Sequence, residues 1–186
     1  MTTARPRIGV FGSSEPGPGD RIYEAGRRVG ALLAQAGYDV VTGGYSGVME
    51  AASRGAVEAG GGAIGVISEI FAHRQPNPFL TERRETEDLV ERMGALVDAC
   101  AGFVVLEGKS GTLAELTLLW ALHRAGSLGE RPVVLLGAPW RPLLQLLLRS
   151  SMIEDEQLSI TRVVDRPEEA VDWIARMLAP EADRGR

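Results

Sequence analysis

"YDVVTGGYSGVMEAASRGAVEAGGGAIGVI", residues 38–67, holds two short apolar runs separated by a segment of helix length. "YDVVT" ends at Gly43 and Gly44, and "AIGVI" (63–67) is uninterrupted by charge. Continuous apolar runs of this length fit strands buried on both faces, as in a parallel sheet. Between them, Gly47 to Ala59 has helical spacing and an unusually small face of Ala51, Ala52, Gly55, Ala56 and Ala59. Such a face lets a helix lie close on a sheet. Strand, helix and strand in that order form a βαβ unit.

The same alternation extends in both directions. "RIGVF" (7–11) is a β-rich run, and a helix is expected from an Asp20 N-cap to Ala36, with Gly37 as its stop. Ser68 to Arg83 is loop-like around "QPNP", and an acid-rich helix is expected to start at Thr86. "GFVVL" (102–106), "PVVLL" (132–136) and "SITRVV" (159–164) are further strands. "SGTLAELTLLWAL", "WRPLLQLLL" and "RPEEAVDWIARML" are the helices between and after them. The expected fold class is α/β: a doubly wound, Rossmann-like parallel sheet with helices on both faces. It forms a single domain over residues 1–186, with 1–6 and 180–186 expected to be flexible.

The bulk numbers exclude several classes of function. The chain has 186 residues, 45% apolar and 24% charged, an ordinary globular balance. A formal charge of -5 leaves no broad basic surface for nucleic acid. No apolar run approaches the roughly 20 residues a bilayer requires, and Met1 to Pro6 lacks a signal-peptide core, so a cytoplasmic protein without a membrane partner is expected. The only cysteine, Cys100, excludes an internal disulfide and reads as a small buried hydrophobe. His73 and His123 are far apart in sequence, so no metal site is expected.

Three glycine-rich turns close predicted strands: "FGSS" (11–14), "TGGYSG" (42–47) and "EGKSGT" (107–112). In a doubly wound sheet all three fall on the rim where ligands bind. Their backbone N–H groups suit an anion at a helix start, and together they point to a small phosphorylated ligand. "GKS" is not a P-loop, because the required first glycine falls at Phe103, and "GGYSG" is not G-x-G-x-x-G. Lys109 is the only lysine, beside nineteen arginines, and reads as a phosphate counter-charge or a plain surface residue. A Schiff-base role is set aside, since a lysine in such a turn is solvated, and no cofactor is expected.

Glu115 stands out in "LEGKSGTLAELTLLWAL" (106–122), whose helix is apolar nearly all round. Such a helix is buried in a core or in a subunit interface. A carboxylate there, one turn beyond Thr112, is a candidate for chemistry rather than a helix-dipole acid. By pattern alone Arg92 is a solvated flank residue, at the edge of the stripe of Leu89, Met93, Leu96 and Cys100.

"IGVFGSS", "TGGYSGVMEAASRGAVEAGGGAIGVI", "ERM" and "GFVVLEGKSGTLAEL" together resemble the Lonely Guy (LOG) family of the SLOG, Rossmann-like superfamily. The resemblance runs from about Ile8 to Leu136. It implies a phosphoribohydrolase that splits the N-glycosidic bond of nucleoside 5'-monophosphates, cytokinin ribotides or AMP, into free base and ribose 5-phosphate. Carried over by motif, it implies Glu115 and Arg92 as the catalytic pair. It implies binding residues Gly12, Ser13, Gly43, Gly44, Gly47, Met49, Gly108, Lys109, Ser110, Gly111 and Thr112, with no metal and no cofactor. It also implies a homodimer or larger homo-oligomer.

The chain departs from the family signature P-G-G-x-G-T-x-x-E. Glu107 replaces its proline and Lys109 its second glycine; Met93 replaces the lysine of E-R-K, and Thr42 a glycine common before Gly43. These changes motivate an alternative: a non-catalytic nucleotide or molybdenum-cofactor carrier or sensor on the same fold. A single-strand DNA-binding relative is disfavoured by the acidic balance.

Overall fold

The computed structural model describes residues 5–179; the expected flexibility of 1–4 and 180–186 falls outside them. Seven parallel strands form one sheet: β1 (Arg7–Phe11), β2 (Asp39–Thr42), β3 (Ala63–Ser68), β4 (Glu82–Thr86), β5 (Gly102–Leu106), β6 (Val133–Leu136) and β7 (Thr161–Val164). Their spatial order is β4-β3-β2-β1-β5-β6-β7. The order reverses between β1 and β5, where Val10 pairs with Val104 and Phe11 with Val105. That reversal opens a crevice at the carboxyl ends of the two strands.

Helices α1 (Arg21–Gln35), α2 (Val48–Glu58) and α7 (Pro167–Leu178) supply residues to one apolar cluster with Ile8, Val10 and Val104. Helices α3 (Leu89–Asp98), α4 (Ser110–Arg124) and α5 (Trp140–Arg149) supply the other, with Phe11, Phe103 and Val105. Successive strand residues point to opposite faces, so the sheet separates two cores. A short helix, α6 (Asp155–Ser159), precedes β7. Among the described residues no helix is long and apolar enough to cross a membrane.

Three local expectations are corrected. The stretch expected as a loop up to Arg83 contains a 3-10 turn at Glu69–Phe71 and then β4, "ERRET". β4 is an edge strand whose pairing with β3 comes from backbone groups, so its side chains are polar, mostly open to solvent apart from Thr86, and give no apolar signal. The following helix starts at Leu89 instead of Thr86. Asp88 caps it by accepting from the Glu91 amide at 2.8 Å, while Glu91 accepts from the Glu87 amide at 2.7 Å. The start of "SITRVV" belongs to α6, so β7 begins at Thr161.

The small face of α2 meets another helix in addition to the sheet. A methyl at Gly30 of α1 would overlap the Ala52 carbonyl, and one at Gly55 of α2 would overlap the Arg27 carbonyl. The two helices approach backbone to backbone, which only glycine at the crossing allows.

Candidate active site

A cavity of about 340 Å³ occupies the crevice. The β1 turn contributes Gly12, Ser13, Ser14 and Glu15; the β2 turn and α2 contribute Gly43, Tyr45 and Met49. The start of α4 contributes Lys109 to Thr112 and Glu115, α3 contributes Arg92, and the segment after β3 contributes Phe71 and Arg74. Ten of the thirteen residues singled out from the sequence therefore line one space.

The remaining three, Gly44, Gly47 and Gly108, shape the turns from behind. Gly44 (φ 81°) packs on Ile67 and Gly65, and Gly47 (φ 73°) abuts Ser13 and Ser14. A side chain at Gly108 would overlap the Thr112 hydroxyl. Thr42 is fully buried, and its hydroxyl accepts from the Gly44 amide at 3.1 Å, bracing the β2 turn.

The N-terminus of α4 has no side-chain cap and no acid in its first turn. Its leading N–H groups, from Ser110 to Thr112, thus open onto the cavity with the positive end of the helix dipole. Glu115 lies a turn deeper. Burial pushes its carboxyl up to about 7, and the Arg92 cation pulls only partly the other way. That value leaves Glu115 poised to exchange a proton near neutrality.

Arg92 is 6% exposed, so its reading as a solvated flank residue is corrected. The buried face of α3 is Arg92, Leu96 and Val97; Leu89, expected in the apolar stripe, is open to solvent. Nε donates to the Val66 carbonyl at 2.9 Å and Nη2 to the Gly43 carbonyl at 3.1 Å. The guanidinium also lies 5.6 Å from the Phe71 ring centroid and 5.8 Å from that of Tyr45. Two carbonyls, two rings and Glu115 offset the cost of burying the cation. Burial lowers its proton affinity from the usual arginine value, with Glu115 opposing that change.

Gly43 matters because a methyl there would overlap Arg92 Nη2 and approach Met49 Sδ to 2.7 Å. Gly43→Ala is expected to displace the guanidinium and remove its carbonyl contact. Steady-state assays of the function proposed below should show a loss of about tenfold to a hundredfold, from one charged hydrogen bond worth about 1.5–3 kcal/mol.

The signature departures are each partnered. Glu107 turns away from the cavity, where Oε1 accepts from Arg21 Nη2 at 2.7 Å and lies against Gly137. Its charge is therefore met by Arg21 outside the cavity. Lys109 Nζ pairs with Glu15 across the cavity mouth, and both side chains are exposed. The helix α4 is not enclosed on all sides within one chain: Leu113, Ala114, Thr117 and Ala121 are open, while Leu116, Leu119 and Trp120 are buried.

The cavity residues that sequence reasoning missed are Ser14, Glu15, Tyr45, Phe71 and Arg74, with Val10 and Phe11 beneath them. Tyr45 sat inside a quoted glycine turn, yet nothing local marked its ring as buried. Phe71 and Arg74 lie in the stretch expected to be loop-like around "QPNP". Cys100 is buried as expected, its thiol pushed up to about 12, which leaves it inert.

Comparison with known proteins bears on the fold and the family. The chain is 32% identical over 135 residues to a protein named cytokinin riboside 5'-monophosphate phosphoribohydrolase from Mycobacterium marinum, covering 72% of this chain and 71% of that one. The solved molybdenum cofactor binding protein of Rippkaea orientalis superposes with a TM-score of 0.76 at 24% identity, over 96% of this chain and all of that one. The molybdenum cofactor carrier protein of Chlamydomonas reinhardtii gives 0.73 at 25% identity, over 95% and 100%. The SLOG cluster4 family model matches residues 5–170, nearly the whole described chain. With its glycine turns, Arg92 and Glu115 gathered at the sheet's switch point, this chain belongs to the Lonely Guy family, in the group described as SLOG cluster4.

Proposed function

We propose that the protein hydrolyses the N-glycosidic bond of a nucleoside 5'-monophosphate, releasing free base and ribose 5-phosphate. The observation that carries this reading is a carboxylate one turn beneath an uncapped helix N-terminus, sharing one cavity with Arg92 and with its pKa raised by burial. The phosphate sits against the N–H groups of Ser110 to Thr112, with Lys109 leaving Glu15 to neutralise it. The ribose then lies over Glu115.

As the bond from C1' to the base nitrogen breaks, its electron pair leaves with the base and positive charge develops on the ribose. Ionised Glu115 stabilises that charge and takes a proton from the water that attacks C1'. The departing nitrogen regains a proton from solvent. Arg92 cannot act as the acid, because it stays protonated; it orients the ribose and favours the ionised form of Glu115 against the effect of burial. A second copy of the chain covers the open side of α4, where Leu113 (38% exposed), Ala114 and Ala121 lie uncovered.

The test is incubation of purified protein with a panel of nucleoside 5'-monophosphates, including AMP and a cytokinin ribotide, with separation of free base by HPLC. Base release dependent on Glu115 supports hydrolysis. Retention of a bound but intact ligand favours the carrier reading, which the likeness to the Chlamydomonas carrier motivates.

A further inference from the structure

The α4 loop follows β5, whereas the Phe71–Arg74 segment follows β3, three strands away in the sheet order. At ordinary strand spacing that separates the two ends of the cavity by roughly 14 Å. At the β3 end two of the polar side chains, Tyr45 and Arg92, are already committed. The Tyr45 hydroxyl is committed to Ser68, donating to its carbonyl at 3.2 Å and accepting from its amide at 3.1 Å. Arg92 spends Nε and Nη2 on backbone carbonyls.

Arg74 has no such commitment. Its guanidinium lies 5.3 Å from the Phe71 centroid and repels Arg92. Among the described residues no side-chain hydrogen bond or ion pair engages it, although the chain carries a net charge of -5. The cation lies over the Phe71 ring at the cavity wall, with its donors unspent. Phe71 meets Tyr45 edge to face at 5.8 Å, so the same end of the cavity is walled by aromatic side chains.

We propose that Arg74 reads the base edge and that the substrate class is the 6-oxopurine nucleoside 5'-monophosphates. This rests on the hydrolase reading above, which puts the phosphate at α4 and so the base toward Phe71 and Arg74. A planar guanidinium presents two parallel donors, which match the O6 and N7 acceptors of guanine or hypoxanthine. Adenine offers N7 beside an N6 amine, so one donor meets another donor and a hydrogen bond is lost. A lysine could supply the charge but not the fork.

The experiment compares kcat/KM for base release from GMP, IMP and AMP in the wild type, Arg74→Met and Arg74→Lys. The expected result is a preference of about tenfold for GMP and IMP over AMP, which falls toward unity in both variants. Arg74 is exposed and makes no side-chain hydrogen bond among the described residues, so both variants should fold, as circular dichroism would verify. A wild type that prefers AMP, or a preference unchanged by Arg74→Met, overturns the assignment. If no nucleotide is hydrolysed, the hydrolase reading fails on its own. Titration calorimetry of GMP and AMP then reads the same ratio as dissociation constants, and equal binding of the two overturns the role of Arg74.

Discussion

Glu115→Gln is expected to lower base release by about a thousandfold, because an amide cannot neutralise charge developing on the ribose. The same variant should change how stability depends on pH. The Glu115 carboxyl moves from 4.5 in the unfolded chain to about 7 in the fold. A raised acid favours the folded state only while protonated: the contribution is complete below pH 4.5 and lost as pH rises through 7. The wild type therefore loses about 2–3 kcal/mol relative to the variant between pH 5 and pH 8. Urea unfolding of both proteins at the two pH values measures this difference directly. Activity should follow the opposite course, since the ionised form works, and kcat/KM should fall as pH drops below about 7. Base release that survives in Glu115→Gln, with cooperative unfolding, would sink the catalytic assignment. A carboxylate kept where it weakens the fold is the expected signature of a site selected for chemistry.

The second large effect is on the fold. Gly30→Ala is expected to destabilise the protein by about 3 kcal/mol, lowering Tm by roughly 10 °C. Glycine in a helix interior ordinarily costs about 1 kcal/mol relative to alanine, so this substitution would stabilise an isolated α1. Here the added methyl would overlap the Ala52 carbonyl and lie 2.9 Å from its carbon. Backbone cannot swing aside as a side-chain tip can, so α1 and α2 must separate and expose Val29, Leu33 and Val48. Gly94→Ala is the matched control. Gly94 lies inside α3 with open space where its methyl would go, and this variant should gain about 0.5–1 kcal/mol. Differential scanning calorimetry of the two variants should give Tm shifts of opposite sign. Equal shifts would remove the close crossing as the cause.

Much of the site was legible because its parts are local. A glycine turn after an apolar run announces a strand end, and the α/β alternation places every such end on one rim. Glu115 was conspicuous as a charge in an apolar helix. Arg92 was not: one guanidinium beside Glu91 and Asp88 looks like any solvated flank. Its burial depends on Val66, Gly43, Tyr45 and Phe71, all distant in sequence. Only the family resemblance brought it forward.

The chain's own pattern determined the α/β class, the order of the apolar strands and the sharing of one rim by three glycine turns. These follow from side-chain periodicity and backbone preference, which are properties of neighbouring residues. Tertiary structure decided the rest: the polar edge strand β4, the backbone crossing of α1 and α2, and the turning of Glu107 toward Arg21. It also decided the closing of the cavity by Tyr45, Phe71 and Arg74. Each of these depends on which atoms meet across long sequence separations, and the free energy of such a meeting belongs to the pair rather than to either residue.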